Sequence, residues 1–126
     1  MSYRYYNNNP IKNRAIDCTV RAISVATDQS WRKVHRDLCE LSEKMFDMPS
    51  SNAVWMKYLK QNGFKRYLLP ETCPDCYNVA EFAREHPYGT YVLSTGDHAV
   101  ACIEGTYIDS WDSGDEIVES YFRKEN

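Results

Sequence analysis

From Gly89 onward the chain changes its hydrophobic period. The runs TYVLST, HAVACI and TYIDSW follow one another between Thr90 and Trp111, each rich in β-branched or aromatic residues, with the turn dipeptides GD and EG between them. Strands joined by connections this short pair antiparallel, because a parallel return needs a long crossover. The segment therefore reads as an antiparallel β meander. Everything before it reads mainly as helix, and helices gathered at the front with a meander behind make an α+β domain, not an alternating parallel one.

The helical half is read from caps and spacing. Asp17 is placed as an N-cap, and Val20, Ile23 and Ala26 or Thr27 recur at helical spacing, so a helix is expected to end near Asp28 with Cys18 in its first turn. Ser30 caps a second helix whose stripe, Trp31, Val34, Leu38, Leu41 and Met45, marks a core face. A third runs from about Ser51 to Asn62, with Gly63 as its stop. Phe64 to Leu69 reads as a short strand and Asn78 to Glu85 as a brief helix closed by His86 and Pro87. The trio Asn7 to Asn9 and Pro10 reads as surface, so residues 1–12 are expected to form a surface arm.

Size and charge narrow the function. A chain of 126 residues, 43% hydrophobic, suits one domain with a real core, spanning residues 1–126. A net charge of −3 argues against nucleic acid as a partner. No charged n-region with an apolar run opens the sequence and no long apolar segment follows, so a cytoplasmic protein without a membrane anchor is expected. Five cysteines, an odd number in a chain with a proper core, fit reduced thiols better than a disulfide scaffold.

The chemistry is concentrated in TGDHAVACIEGTYIDSWDSGD, residues 95–115. If Glu104 and Gly105 form a two-residue turn, His98 faces Trp111 and Val100 faces Asp109 across the hairpin, with Asp109 diagonal to His98 on the same face. Asp112 would then point away, and a one-residue slip of the turn would reverse that choice. A carboxylate on one imidazole nitrogen fixes the tautomer and aims the ring. A thiol is nucleophilic as thiolate, which a helix N-terminus and a neighbouring imidazolium both favour. Cys18, His98 and Asp109 thus have the chemistry and the order of a cysteine nucleophile triad.

The run DHAVAC followed by DSW resembles the papain-like cysteine peptidases, in which a D-H-A-V-A run opens a strand and an N-S-W run on a later strand carries the orienting residue. The DC pair at a helix start is similar to smaller bacterial and phage members of that superfamily, bacteriocin-processing and peptidoglycan-cleaving enzymes among them, and MPSSNAVWMKYLKQNGF and HPYGTYV resemble small phage-type proteins of the same kind. The resemblance implies a minimal papain-like core, Cys18 as nucleophile, His98 as base, Asp109 as orienter and Trp111 as the ring shielding their hydrogen bond. It implies an amide or peptide bond cleaved through a thioester, in a peptide, protein or peptidoglycan-peptide substrate, with no cofactor. The family's G-S-C-W is IDCT here, and Lys12 stands where its glutamine is usual. The oxyanion role implied for that glutamine passes to Asn13 together with the Cys18 backbone amide, with Asn9 as the alternative.

Two rival readings accompany this one. Cys73 and Cys76, in ETCPDCYN, have the spacing of half a zinc site or of a redox pair, as well as of incidental loop thiols. Zinc would need Cys39 and His86 as further ligands; Cys39 and Cys102 otherwise read as core fillers. The alternative to an enzyme is a papain-like shell with weak or absent catalysis that binds a protein partner, a reading the unorthodox oxyanion region permits.

Overall fold

The computed structural model describes residues 2–13, 16–69 and 77–125. Among them are the helices α1 (Cys18–Thr27), α2 (Trp31–Met45), α3 (Asn52–Gln61) and α4 (Val79–Glu85), and the strands β1 (Ser2–Tyr5), β2 (Phe64–Leu68), β3 (Thr90–Ser94), β4 (Ala99–Ile103), β5 (Thr106–Asp109) and β6 (Ser120–Lys124). The domain is α+β. Its strands form one mixed sheet in the order β1-β5-β4-β3-β6-β2. No helix of the described residues is long and apolar enough to cross a membrane.

Local chemistry starts α2 and α4 and stops α1 close to where their sequence signals lie. Ser30 accepts a hydrogen bond from the Lys33 amide at the head of α2, and Asn78 and Glu81 form a reciprocal capping box on α4. Asp28 closes α1 in the left-handed region (φ 55°), a conformation its short polar side chain tolerates, and its amide returns to the Ser24 and Val25 carbonyls.

The sheet is covered on both faces, which accounts for the nearly unbroken apolar runs of its two central strands, β3 and β4. Alternation sorts β4 between two cores. Ala99 and Ala101 join Val20, Ile23, Leu38, Val54 and Leu59 beneath α1, α2 and α3, whereas Val100 and Cys102 join Val79, Phe82, Leu93 and Tyr107 beneath α4. The alanines matter for function: two small side chains let α1 approach β4 closely and carry its N-terminus to the end of the hairpin. Ile23, Val34 and Leu59 are fully buried, and each stabilises the packing by about 1.5–3 kcal/mol.

Two features depart from the sequence-based expectation. The expected surface arm over residues 1–12 is not what residues 2–12 form: Ser2–Tyr5 is an edge strand pairing parallel with β5, Tyr3 packs on Tyr107, and Asn7 and Asn9 are buried. A parallel partner more than a hundred residues away leaves no hairpin signal in the local sequence. The antiparallel meander of β3, β4 and β5 is present, but β6 inserts between β3 and β2 and extends it on the far side.

Candidate active site

The β4–β5 turn sets the geometry. Glu104 and Gly105 both have positive φ (50° and 79°), the conformation whose twist suits a two-residue hairpin. The strands register as Ile103 with Thr106, Cys102 with Tyr107 and Ala101 with Ile108. One step further the same register sets Val100 opposite Asp109, as the turn predicts, and brings the residue just before β4 to the last residue of β5.

There the His98 Nε2–H donates to Asp109 Oδ2 at 2.6 Å. Asp109 is almost wholly buried, yet all of its acceptor capacity is used. Ser113 Oγ donates to Oδ2 (2.7 Å), while the Ser110 amide (2.8 Å) and Arg21 Nη1 (3.1 Å) donate to Oδ1. Burial alone would raise its pKa; the bonds from His98 and Ser113, with the positive imidazole, outweigh it and hold the carboxyl below its ordinary value. Asp112 serves the following loop instead, accepting from the Tyr107 hydroxyl (2.6 Å) and the Gly114 amide (3.0 Å).

Cys18 is the first residue of α1 and half-buried, and His98 and the Ala99 backbone are the groups that act on its thiol. With Nε2 engaged by Asp109, Nδ1 is the ring nitrogen left for the thiol. Burial pushes the thiol up, but the hydrogen bonds from His98 and Ala99 and the positive charges of His98 and Arg21 prevail, so its pKa lies below that of an ordinary cysteine. Burial likewise opposes protonation of His98, yet its bonds to Asp109 and Cys18 raise its pKa to about 9. The two directions favour the thiolate–imidazolium pair over the neutral thiol and imidazole. The Trp111 ring lies over the imidazole, 5.0 Å between centroids and tilted by 33°.

Two residues work differently from what spacing alone suggests. Asp17 occupies the N-cap position of α1 but its side chain makes no capping bond. Its carboxylate instead accepts from Arg21 Nε (2.7 Å), Trp31 Nε1 (2.9 Å) and Asn9 Nδ2 (3.3 Å). Arg21, which the sequence analysis did not single out, is a clamp. Its guanidinium spans Asp17 on the cysteine-bearing helix and Asp109 and Ser110 on the hairpin, tying the two halves of the triad together. The Asp17–Arg21 spacing of four was visible as an ordinary helical ion pair. That it is buried and shared with Asp109 is a long-range fact.

The asparagines are also separated by the structure. Asn9 is buried, its amide nitrogen donating to Asp17 and its oxygen accepting from the Ile11 and Asn13 amides, so it holds the loop together. Asn13 is exposed on the wall of a cavity of about 520 Å³ that it shares with Lys12, Asp17, Arg21, Ser110 and Trp111.

Of the remaining thiols, Cys102 is a core filler, fully buried, but Cys39 is not: it lies partly exposed on α2 beside His35. Cys73 and Cys76 lie outside the described residues. Of the two further ligands a zinc site would need, Cys39 lies on α2, which packs on one face of the sheet, and His86 packs on Phe82 on the α4 side. Among the described residues no three His, Cys, Asp or Glu side chains cluster as metal ligands.

No family model, curated protein or solved structure matches this chain.

Proposed function

We propose that the protein is a cysteine hydrolase of papain-like type that cleaves an amide or peptide bond through a thioester. The observation that carries the reading is the relay from Cys18, in the first turn of α1, through the His98 ring to a buried and fully bonded Asp109.

The chemistry follows from the positions. The Cys18 thiolate attacks the carbonyl carbon, forming a C–S bond and placing negative charge on the carbonyl oxygen. The Cys18 amide lies at the positive end of α1, where backbone donors have no helical partner, and Asn13, on the wall of the neighbouring cavity, is proposed as the second donor. As the tetrahedral species collapses, the His98 imidazolium gives its proton to the departing nitrogen and the C–N bond breaks. Water then attacks the thioester with neutral His98 taking its proton, the C–S bond breaks, and the carboxylic acid leaves behind a thiolate and an imidazolium. Asp109 remains ionised throughout and keeps the ring oriented.

Peptides, proteins and peptidoglycan peptides all offer the required amide. The test is labelling with a peptidyl electrophile, followed by mass spectrometry of each cysteine. Rapid modification confined to Cys18 supports the enzyme; slow labelling there, with other thiols reacting first, removes the nucleophile and leaves a binding module.

A further inference from the structure

The helical spacing of α2 lines up Arg32, His35, Arg36 and Cys39 along one side of a cavity of about 600 Å³. The opposite side is the loop Asn9–Asn13, held by the Asn9 side chain. The cavity lined by Lys12, Arg21 and Trp111 shares Asn13 with this one on its wall and includes Asp17, the residue next to Cys18.

The charge of the two cavities is one-sided. Lys12, Arg21, Arg32 and Arg36 line them, against a single carboxylate, Asp17, which is buried and already bound to Arg21, Trp31 and Asn9. Arg21 is consumed by Asp17 and Asp109, whereas Arg32 and Arg36 make no ion pair among the described residues. This cationic wall belongs to a chain whose net charge is −3, so it does not follow from composition.

We propose that the two cavities together form a groove that takes an acidic segment of a polypeptide substrate, with carboxylates on Arg32 and Arg36 and another near Lys12, alongside the amide presented to Cys18. The assignment rests on the hydrolase reading for its catalytic meaning and not for its binding. A guanidinium fork matches a carboxylate with two parallel hydrogen bonds. Trp31 and His35 stack on each other, 4.9 Å apart and nearly parallel, giving an apolar floor beneath a peptide. A net charge of −3 disfavours a nucleic acid as the occupant.

The experiment measures fluorescence anisotropy of fluorescein-labelled hexaglutamate and hexalysine on the Cys18→Ala protein, in which no turnover is possible. Hexaglutamate is expected to bind, to weaken as salt rises, and to lose about tenfold in affinity in Arg32→Glu/Arg36→Glu, with hexalysine not binding. Equal binding of the two peptides, indifference to the charge reversal, or equally tight binding of an oligothymidylate of the same length overturns the proposal. In the wild type, hexaglutamate should slow iodoacetamide labelling of Cys18; undiminished labelling at saturation overturns the groove's connection to the thiol. The two readings fail separately. Hexaglutamate binding with an unreactive Cys18 removes the hydrolase and keeps the groove, and a reactive Cys18 without peptide binding does the reverse.

Discussion

Cys18 at the head of α1 and Cys102 within β4 share an amino-acid type, yet their thiols are driven in opposite directions. Burial penalises both thiolates. At Cys102, inside the core beneath α4, nothing opposes that penalty and the pKa is pushed up to about 12. At Cys18 the same penalty is outweighed by hydrogen bonds from His98 and Ala99 and by two nearby positive charges. Desolvation alone makes a cysteine inert; desolvation beside an oriented imidazole makes it a nucleophile. The difference lies in what the end of the hairpin supplies and its middle does not.

The widest separation between these regions is in reactivity. At neutral pH Cys102 should alkylate at least about a thousandfold more slowly than Cys18, since their pKa values lie on opposite sides of an ordinary thiol's and each unit counts tenfold in thiolate. Residue-resolved alkylation rates check this, and comparable rates in the folded protein break the comparison.

Next in size is the clamp that holds the active region together. Arg21→Met leaves Asp17 and Asp109 buried with one cationic partner removed, and loss of one member of such a buried set costs about 3–5 kcal/mol. Denaturant unfolding measures it; a loss below about 1 kcal/mol, in the range of exposed ion pairs, would mean that the clamp contributes little.

Asp109→Asn is expected to act more gently. The imidazole keeps its neighbours but loses the carboxylate that raises its pKa, so the imidazolium is lost at lower pH. In the wild type, hydrolysis should decline as pH rises through about 9, where His98 can no longer protonate the leaving nitrogen. In Asp109→Asn that decline should move toward the free-histidine value of about 6.5. The sign for stability agrees: a raised histidine pKa contributes stability that is full below the unfolded value and is lost as pH rises through the folded one. A pH–rate profile that is the same in both proteins contradicts the role given to Asp109.

The smallest effect on stability should come from Cys18, the proposed nucleophile. Cys18→Ala removes a single half-buried sulfur and should cost about 1 kcal/mol or less, a small change beside the loss of all turnover. Thermal unfolding of the variant tests this, and a much larger loss would mean that the thiol is a packing residue.

The hairpin was legible because its signals are local. Two strand-like runs around Glu104 and Gly105 imply the register, and the register implies Asp109 in place of Asp112. Ser30 was legible for the same reason, as a cap a few residues from what it caps. The N-terminal region was not. β1 takes its partner from the far end of the chain, so a polar tetrapeptide preceding an asparagine run gives no sign of a strand. Asp17 occupies a cap position, but tertiary partners take its carboxylate, and the buried state of Arg21 depends on Asp109, which lies 88 residues away in sequence. The candidate site residues could be read where neighbours along the chain determine them, and the groups that hold them in place could not.

The claim that His98 activates Cys18 is tested most directly by the pH dependence of Cys18 alkylation in the wild type and in His98→Ala, with a small neutral electrophile that needs no recognition. In the wild type the labelling midpoint should fall below the ordinary thiol value, and in His98→Ala it should rise to that value or above it, as burial without an imidazole raises it at Cys102. At neutral pH the variant should label at least about tenfold more slowly. Superimposable profiles would contradict the account, because the thiol would then owe nothing to the histidine.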